Sequence, residues 1–489
     1  MKALNLLAFD LGASNGRCIH GSFDGSRLTL EELHRFENSF VRLNGVLYWD
    51  VLNFFTQMKA GLGAYAKLGI SLDAFGIDTW GVDYGLLDKN GALLGNPRSY
   101  RYSEDADMEA VWEHIPKREL FMRTGIASMN FNTLYQLYRR RRENDPALDN
   151  AASLLLMPDL LGYFFTGEKM SEYTIATTSM LYNPNTRTWD YETLERLGLP
   201  KDILTGLDYA GSKRGLLLKD IADELSLNRA VFAAVGTHDT ASAVSAIPGQ
   251  GKFAFCSSGT WSLFGVETES PVLTEDVYRA NFSNEGTVQG TFRPLQNIMG
   301  LWIIQQCKKE WLAEGARLSW DEIVELASLE TPFRSIIDPD YGEFFTAGNM
   351  QKKVQEYCHA TGQPIPTSKG QLARSIYESL ALKYRWAMEK LESVKGAKLD
   401  ALNIVGGGIQ NRLLNQMAAD AINRPVLTGP TEGACIGNLL YQAVALGELG
   451  GIHEVREVVR ASFEVETYEP HHNQAWEDAY GRLLKLIDN

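Results

Sequence analysis

At 489 residues the chain exceeds one ordinary hydrophobic core, so two or three domains are expected. Hydrophobic residues make up 45% and charged residues 22%, and the formal charge of -14 comes without any basic run that could neutralise a phosphate backbone, which argues against a nucleic-acid partner. The five cysteines (Cys18, Cys256, Cys307, Cys358, Cys435) are far apart, with no CxxC pair, so a metal-thiolate site is not expected and reduced thiols are.

The first forty residues alternate like strands: Leu6–Asp10, Arg17–Phe23 and Leu28–Phe36, with the turn dipeptide Asp24-Gly25 between the last two. A loop of small residues, Gly12-Ala-Ser-Asn-Gly16, joins the first two. Trp49-Asp50 opens a helix capped by Asp50, with Leu52, Phe55, Met58, Leu62 and Tyr65 along one face. Another strand, Ala74–Asp78, runs into Thr79-Trp-Gly-Val-Asp83. Residues 104 to 145 read as charged helix, and the arginine run 139–142 as a solvated face balanced by Glu143 and Asp145. The apolar stretch 154–165 is broken by Pro158 and Asp159 and is too short to span a bilayer. With no signal-peptide core at the N-terminus, a cytoplasmic protein without membrane partners is expected.

Near the midpoint, the apolar segment Ala230–Val235 reads as a buried strand that presents His238, Asp239 and Thr240 just past its carboxyl end. That is where open α/β sheets put their chemistry. The plainer reading makes Asp239 or Thr240 the cap of the next helix. Lys252–Val266 then repeats the opening pattern of strand, small polar loop and strand, about 245 residues on, a spacing suited to two related domains rather than a solenoid. Beyond it, the segment around Trp302 and Gln305 reads as a helix with Asn297 and Gln305 as polar exceptions. A long amphipathic helix over 370–391 buries Leu372, Ile376, Leu380, Ala387 and Leu391. The order strand (402–405), Gly406-Gly-Gly408, helix (413–422), strand (425–427), helix (431–445) is parallel α/β.

Three loops could hold phosphates: Gly12–Gly16, Ser257-Ser-Gly-Thr260 and Gly406–Gly408. None matches GxxxxGK[ST] or GxGxxG, which excludes a Walker loop and a dinucleotide fingerprint. Nucleotide phosphates between glycine hairpins need magnesium, normally held by a carboxylate through much of its water shell. Asp10, ending the first strand, is placed for that; Cys256 stands near the matching position of the second hairpin. Phosphoryl transfer to a hydroxyl also needs a base, and Asp239 is the candidate.

The segments Asp10-Leu-Gly-Ala-Ser-Asn-Gly-Arg17, Gly76-Ile-Asp-Thr-Trp-Gly-Val-Asp83, His238-Asp-Thr-Ala-Ser-Ala243, Ser257-Ser-Gly-Thr-Trp261, Asn297-Ile-Met-Gly-Leu-Trp302 and Val405-Gly-Gly-Gly408 occur in this order. By them the chain resembles the FGGY family of carbohydrate kinases, from residue 5 to about 450. The resemblance implies two RNase-H-like α/β domains of the actin/Hsp70/sugar kinase type around a central cleft. Their expected spans are 1–245, with the sugar site and first phosphate loop, and 246–489, with the adenosine site and second phosphate loop. It implies transfer of the γ-phosphoryl group of ATP to the 1-hydroxyl of a ketose, L-rhamnulose by the longer motifs, giving the 1-phosphate and ADP. Fuculose, xylulose or ribulose as acceptor, or an actin- or chaperone-like ATP switch with none, are the alternatives. By carry-over, Ala13, Ser14, Asn15, Gly16, Arg17, Thr260, Gln305 and Gly407 contact ATP. Gly81, His238, Asp239, Thr240 and Asn297 contact sugar, Asp239 is the base, and Asp10 associates with Mg2+ through water. Asn15 departs from the serine expected there but keeps an amide donor. Trp80 reads equally as core or as a stacking face for a deoxy sugar's methyl group, and Asp83 as a sugar ligand or an ion pair.

Overall fold

The structure is a computed structural model and describes residues 3–487. The chain folds into two compact units, each assembled from separate stretches. The first comprises the chain up to Ala246, Glu267–Pro294 and Glu432–Phe463; the second comprises Ile247–Val266, Leu295–Thr431 and the chain from Glu464 onward.

In the first unit a six-stranded sheet runs in the spatial order Lys213–Leu216, Val231–Ala233, Ala74–Thr79, Leu4–Leu11, Asn15–Phe23, Leu28–Glu37. Leu4–Leu11 pairs antiparallel with Asn15–Phe23, Asp10 opposite Arg17, and parallel with Ala74–Thr79, Asp10 beside Asp78. The central strand has no exposed residue in its second half because both faces are covered, which is why it reads as an apolar run rather than an alternation. On one face lies the helix Val51–Ala66, whose cap is Asp50, accepting from the Asn53 N–H at 3.2 Å. Its buried stripe is Val51, Phe54, Met58, Leu62 and Tyr65, so the expected face is displaced: Leu52 is 60% exposed. The helix begins directly after the expected cap, and Leu52 and Phe55, each one position (~100°) past Val51 and Phe54, fall outside the centre of that stripe.

On the other face lies the helix Gly433–Leu446, packed against the helix Asp239–Ser245. A Cβ on Gly437 would stand 2.0 Å from the Ser242 carbonyl oxygen, so glycine alone permits this approach. The contact fixes the small-residue helix that follows His238. The arginine run also differs from expectation. It ends the helix Thr133–Arg142, but Arg140 is buried and paired with Asp145 at 2.7 Å, and Arg139 reaches Glu143 at 2.9 Å. Acids four and five residues downstream let the guanidiniums enter the surface layer instead of pointing into water.

A seven-stranded sheet runs in the order Ser283–Gly286, Phe292–Met299, Trp261–Gly265, Phe253–Ser258, Ala401–Val405, Val426–Thr428, Glu466–Tyr468, of which Leu295–Met299 and the five strands after it belong to the second unit. From Phe292–Met299 onward their directions repeat the first sheet: an antiparallel meander, then two successive parallel pairings, then an antiparallel edge. The sequence repeat is therefore a repeat of topology, with the edge strand drawn from a different point in the chain in each unit. The 27-residue helix Lys369–Lys395, capped by Ser368, buries all five expected core positions, and the helix Arg412–Ile422 packs beside it. Asn297 is not on the helix with Gln305. It sits on the strand Phe292–Met299, while the helix begins at Trp302, because Gly300-Leu301 forms the turn between them. All five cysteines are buried and none is bridged. No helix among the described residues is long and apolar enough to cross a membrane.

Candidate active site

The first unit gathers acids at the carboxyl ends of its parallel strands. Leu4–Leu11 delivers Asp10 and Ala74–Thr79 delivers Asp78. Thr79 continues into a bridge with His238, its N–H donating to the Thr237 carbonyl at 2.9 Å, so Asp239 follows at the same edge. Asp239 is the first residue of its helix, and His238 occupies the cap position without capping through its side chain. The Asp239 carboxylate accepts from the Thr240 N–H at 2.5 Å and the Thr240 hydroxyl at 3.0 Å. Its side chain keeps 29% of its surface open. It still lies deep enough for burial to raise its pKa, with the His238 ring lowering it and the Asp10 carboxylate raising it.

Asp10 is buried and is held by the Arg17 guanidinium, which also pairs with Glu432. The Cys435 thiol donates to the same Asp10 oxygen at 3.3 Å. Burial works against the charge of Arg17, but Asp10, Cys435 and Glu432 outweigh it and raise its pKa. Asp78 is fully enclosed and accepts from the Asn438 amide at 2.6 Å. Burial lifts it well above the usual carboxylate range, Asp10 adds to the lift, and Asn438 opposes it. Of the hairpin loop, Ala13, Ser14 and Asn15 lie at or near the surface, while Gly16 packs under the Phe36 ring. Asn38 ties the loop down, donating from its backbone to the Ser14 carbonyl at 3.0 Å and from its side chain to the Gly12 carbonyl.

Beside this edge lies the Thr79–Asp83 turn. Asp83 accepts from the indole N–H groups of Trp49 at 2.6 Å and Trp80 at 2.9 Å, and from Gln136 at 3.3 Å. Burial pushes its carboxyl up to about 6 against those bonds. Among the described residues Asp83 thus makes no ion pair; it is the acceptor that clamps two indoles whose ring centroids stand 4.4 Å apart. Trp80, 6% exposed, is mostly core. Val82, next to Gly81, has φ of +70°, a conformation that β-branched residues avoid. It is held there by Thr178, which accepts from its N–H at 3.3 Å, and by Thr133, which donates to its carbonyl at 2.6 Å. Such stored strain clusters at ligand sites.

His238 is built in from behind. Glu172 accepts from the Thr237 N–H at 3.2 Å and the Thr237 hydroxyl at 2.7 Å. Thr174, bound to the same carboxylate, accepts from the His238 N–H at 3.2 Å. On the ring side, Nδ1 meets Arg293 Nη2 at 2.6 Å and Glu285 at 3.2 Å, and these two pair at 2.7 Å. Glu172, Glu285 and Arg293 carry no local signal in the sequence, since only folding brings residues 172, 238 and 285–293 together. Asp78 did carry one: it ends an apolar strand as Asp10 does.

The second unit holds the remaining expected residues. The Thr260 hydroxyl donates to the Gln305 side-chain oxygen at 3.2 Å, and the Gly259 and Thr260 carbonyls accept from the turn before the Gln305 helix. The Gly406–Gly408 loop packs on Ser258, where a Cβ on Gly408 would stand 2.0 Å from the hydroxyl oxygen, while Gly407 faces open space. Thr260 and Gln305 are thus joined, and the hairpin and the triple glycine form one surface. Asn297, on its strand, is partly buried and belongs to this unit, whereas the other expected sugar residues belong to the first.

Comparison with known proteins agrees with this architecture. Residues 6–245 match the model of the FGGY family of carbohydrate kinases, N-terminal domain, and residues 254–446 the C-terminal domain. The chain is 42% identical to the rhamnulokinase of Bacteroides thetaiotaomicron over 97% of this chain and 98% of that one. It is 39% identical to the rhamnulokinase of Halalkalibacterium halodurans over 94% and 98%. Among solved structures, xylulose kinase from Lactobacillus acidophilus superposes with a TM-score of 0.81 at 14% identity, covering 99% of this chain and 97% of that one. Glycerol kinase from Plasmodium falciparum superposes at 0.78 and 14% identity, covering 99% and 98%, which bears on the fold alone. With both domain models matched and relatives of this identity along nearly its full length, the chain belongs to the FGGY family of carbohydrate kinases.

Proposed function

We propose that the protein transfers the γ-phosphoryl group of ATP to the 1-hydroxyl of L-rhamnulose, releasing ADP and L-rhamnulose 1-phosphate, a step in the use of L-rhamnose. The choice of sugar is supported by relatives at 37–42% identity over 94–97% of the chain, each a rhamnulokinase. The chemistry is supported by one observation above others: Asp239, a partly open carboxylate of raised pKa at the strand-end edge that also carries Asp10.

In this reading Asp239 takes the proton of the 1-hydroxyl as the oxygen forms its bond to phosphorus and the bond to the ADP oxygen breaks. His238, Thr240 and Gly81, with Asn297, hold the ketose. Ala13 to Arg17, Thr260, Gln305 and Gly407 hold ATP, and Arg17 exchanges part of its contact with Asp10 and Glu432 for phosphate oxygens. Magnesium fits this residue set only through its water shell. Asp10 supplies a hard oxygen donor already shared with Arg17 and Cys435, and among the described residues no group of three or more His, Cys, Asp or Glu could cage the ion. When bound with the nucleotide, it neutralises charge on the phosphates. Compartment is proposed as cytoplasmic, and the partners as ketose and ATP alone.

The test is ADP release with magnesium and a panel of L-rhamnulose, L-fuculose, xylulose and ribulose. The greatest kcat/KM is expected with L-rhamnulose. A preference for another ketose would overturn the substrate, and ADP release indifferent to any sugar would overturn the acceptor chemistry altogether.

A further inference from the structure

Arg293 has no exposed surface, and its position on the His238 ring decides what that ring can offer a ligand. Nδ1 stands between a donor, Arg293 Nη2 at 2.6 Å, and an acceptor, Glu285 at 3.2 Å; a guanidinium has donors only, and the shorter of the two contacts is a hydrogen bond when Nδ1 accepts. The other hydrogen of Nη2 goes to Glu285 at 2.7 Å, and Nε donates to the Gly286 carbonyl at 2.9 Å, so the guanidinium is fixed at three points. The Gly286 N–H in turn donates to the Thr177 hydroxyl at 2.7 Å, anchoring the strand that carries Glu285. With Nδ1 accepting, the ring proton resides on Nε2, and Nε2 stands 3.6 Å from Asp239 Oδ1. A donor and a base at that spacing can be bridged by two oxygens on neighbouring carbons: the base takes the proton of one while Nε2–H donates to the other.

We propose that Arg293, braced by Glu285, is a positioning residue that holds His238 as an Nε2–H donor, so that the site selects an acceptor bearing an oxygen on the carbon next to the reacting hydroxymethyl group. This rests on the reading of Asp239 as the base. The ketose, with its oxygen at C2, meets the requirement. An alcohol with the same reacting hydroxyl but no oxygen at C2 does not. Arg293 touches neither reacting atom; it acts through His238.

Two measurements test this. In protein labelled with 15N-histidine, long-range proton–nitrogen spectra, with His238 assigned by its loss in His238→Gln, are expected to show Nδ1 bare and Nε2 protonated. A protonated Nδ1 in the ligand-free protein overturns the proposal whatever the sugar proves to be. In Arg293→Lys, which keeps the charge next to Glu285 but loses the fork, the ketose KM is expected to rise about tenfold or more while the ATP KM stays within about twofold. The kcat/KM advantage of the ketose over the corresponding 2-deoxy alditol is expected to narrow by a similar factor. An unchanged ketose KM and an unchanged advantage overturn the positioning role, even if L-rhamnulose is the substrate. Should Arg293→Lys fail to fold by its thermal transition, the histidine spectra alone decide. Failure of L-rhamnulose to react in the wild-type enzyme leaves the tautomer result standing and removes only the substrate reading.

Discussion

Asp239→Asn separates the chemistry from the architecture with little change of shape. The amide keeps an oxygen to accept from the Thr240 N–H and hydroxyl, now at 2.5 and 3.0 Å, and keeps the volume at the start of the helix. What it cannot do is take a proton. General-base catalysis is worth about a hundredfold to ten-thousandfold, so kcat is expected to fall by that factor, ~2.7–5.4 kcal/mol on the barrier, with the ATP KM little changed. Folding stability gives an independent readout whose sign is fixed by the raised pKa. The folded state binds the Asp239 proton more tightly than the unfolded chain, so this residue favours the fold most at acid pH, and that contribution is lost as pH rises through its folded pKa. Asparagine has no proton to lose, so the Tm of the variant relative to wild type is expected to increase from about pH 4 to about pH 8. Coupled ADP-release kinetics at saturating sugar and thermal scans across pH check both. Near-normal turnover would refute the base assignment, and a Tm difference that shrinks with rising pH would refute the burial argument.

Asp83→Asn keeps an acceptor for both indole N–H groups, so the fold is expected to survive while one pH dependence disappears. With its carboxyl pushed up to about 6, Asp83 costs the folded state ~3 kcal/mol as pH rises from about 4 past that value, and urea midpoints of wild type and variant are expected to diverge across that window; parallel curves would contradict this. Gly408→Ala places a Cβ 2.0 Å from the Ser258 hydroxyl oxygen and is expected to cost ~1–3 kcal/mol and raise the ATP KM, whereas Gly407→Ala, with nothing within 4 Å, is expected to leave the thermal transition in place.

The sequence made most of the frame readable because the frame is written in local patterns. Apolar runs ending in Asp10, Asp78 and Gly236, the glycine hairpins and the helix 369–395 each depend on neighbours in the chain. The errors come where a decision is made by distant residues. Leu52 faces water because the stripe that meets the sheet runs through Val51, Phe54, Met58, Leu62 and Tyr65, and Arg140 is buried because Asp145 pairs with it. Asp83, open between ligand and ion pair in the sequence, accepts from the Trp49 and Trp80 indoles and from Gln136, two of which arrive from other elements. At the candidate site the visible residues are those that would face ligand. Those that brace them, Glu172, Glu285 and Arg293, were invisible because a charged residue in a strand or turn looks the same whether it meets solvent or a histidine ring.

Six strands of the second sheet repeat the directions of the first, but not its chemistry. At the position where the first hairpin's strand carries Asp10, the second carries Cys256, a buried thiol that burial pushes up to about 12 and so leaves uncharged. The parallel neighbour carries Asp78 in the first unit and Ile404 in the second. Acids at the strand ends are a liability to a fold: burial, with the Asp10 carboxylate adding to it, lifts Asp78 and Asp239, and Asp10 itself is paired with Arg17. The second unit, built on the same topology, shows that the fold does not need them. At these two strand ends Asp10 and Asp78 in the first unit stand where Cys256 and Ile404 stand in the second, so closing the sheet does not by itself call for carboxyl groups there.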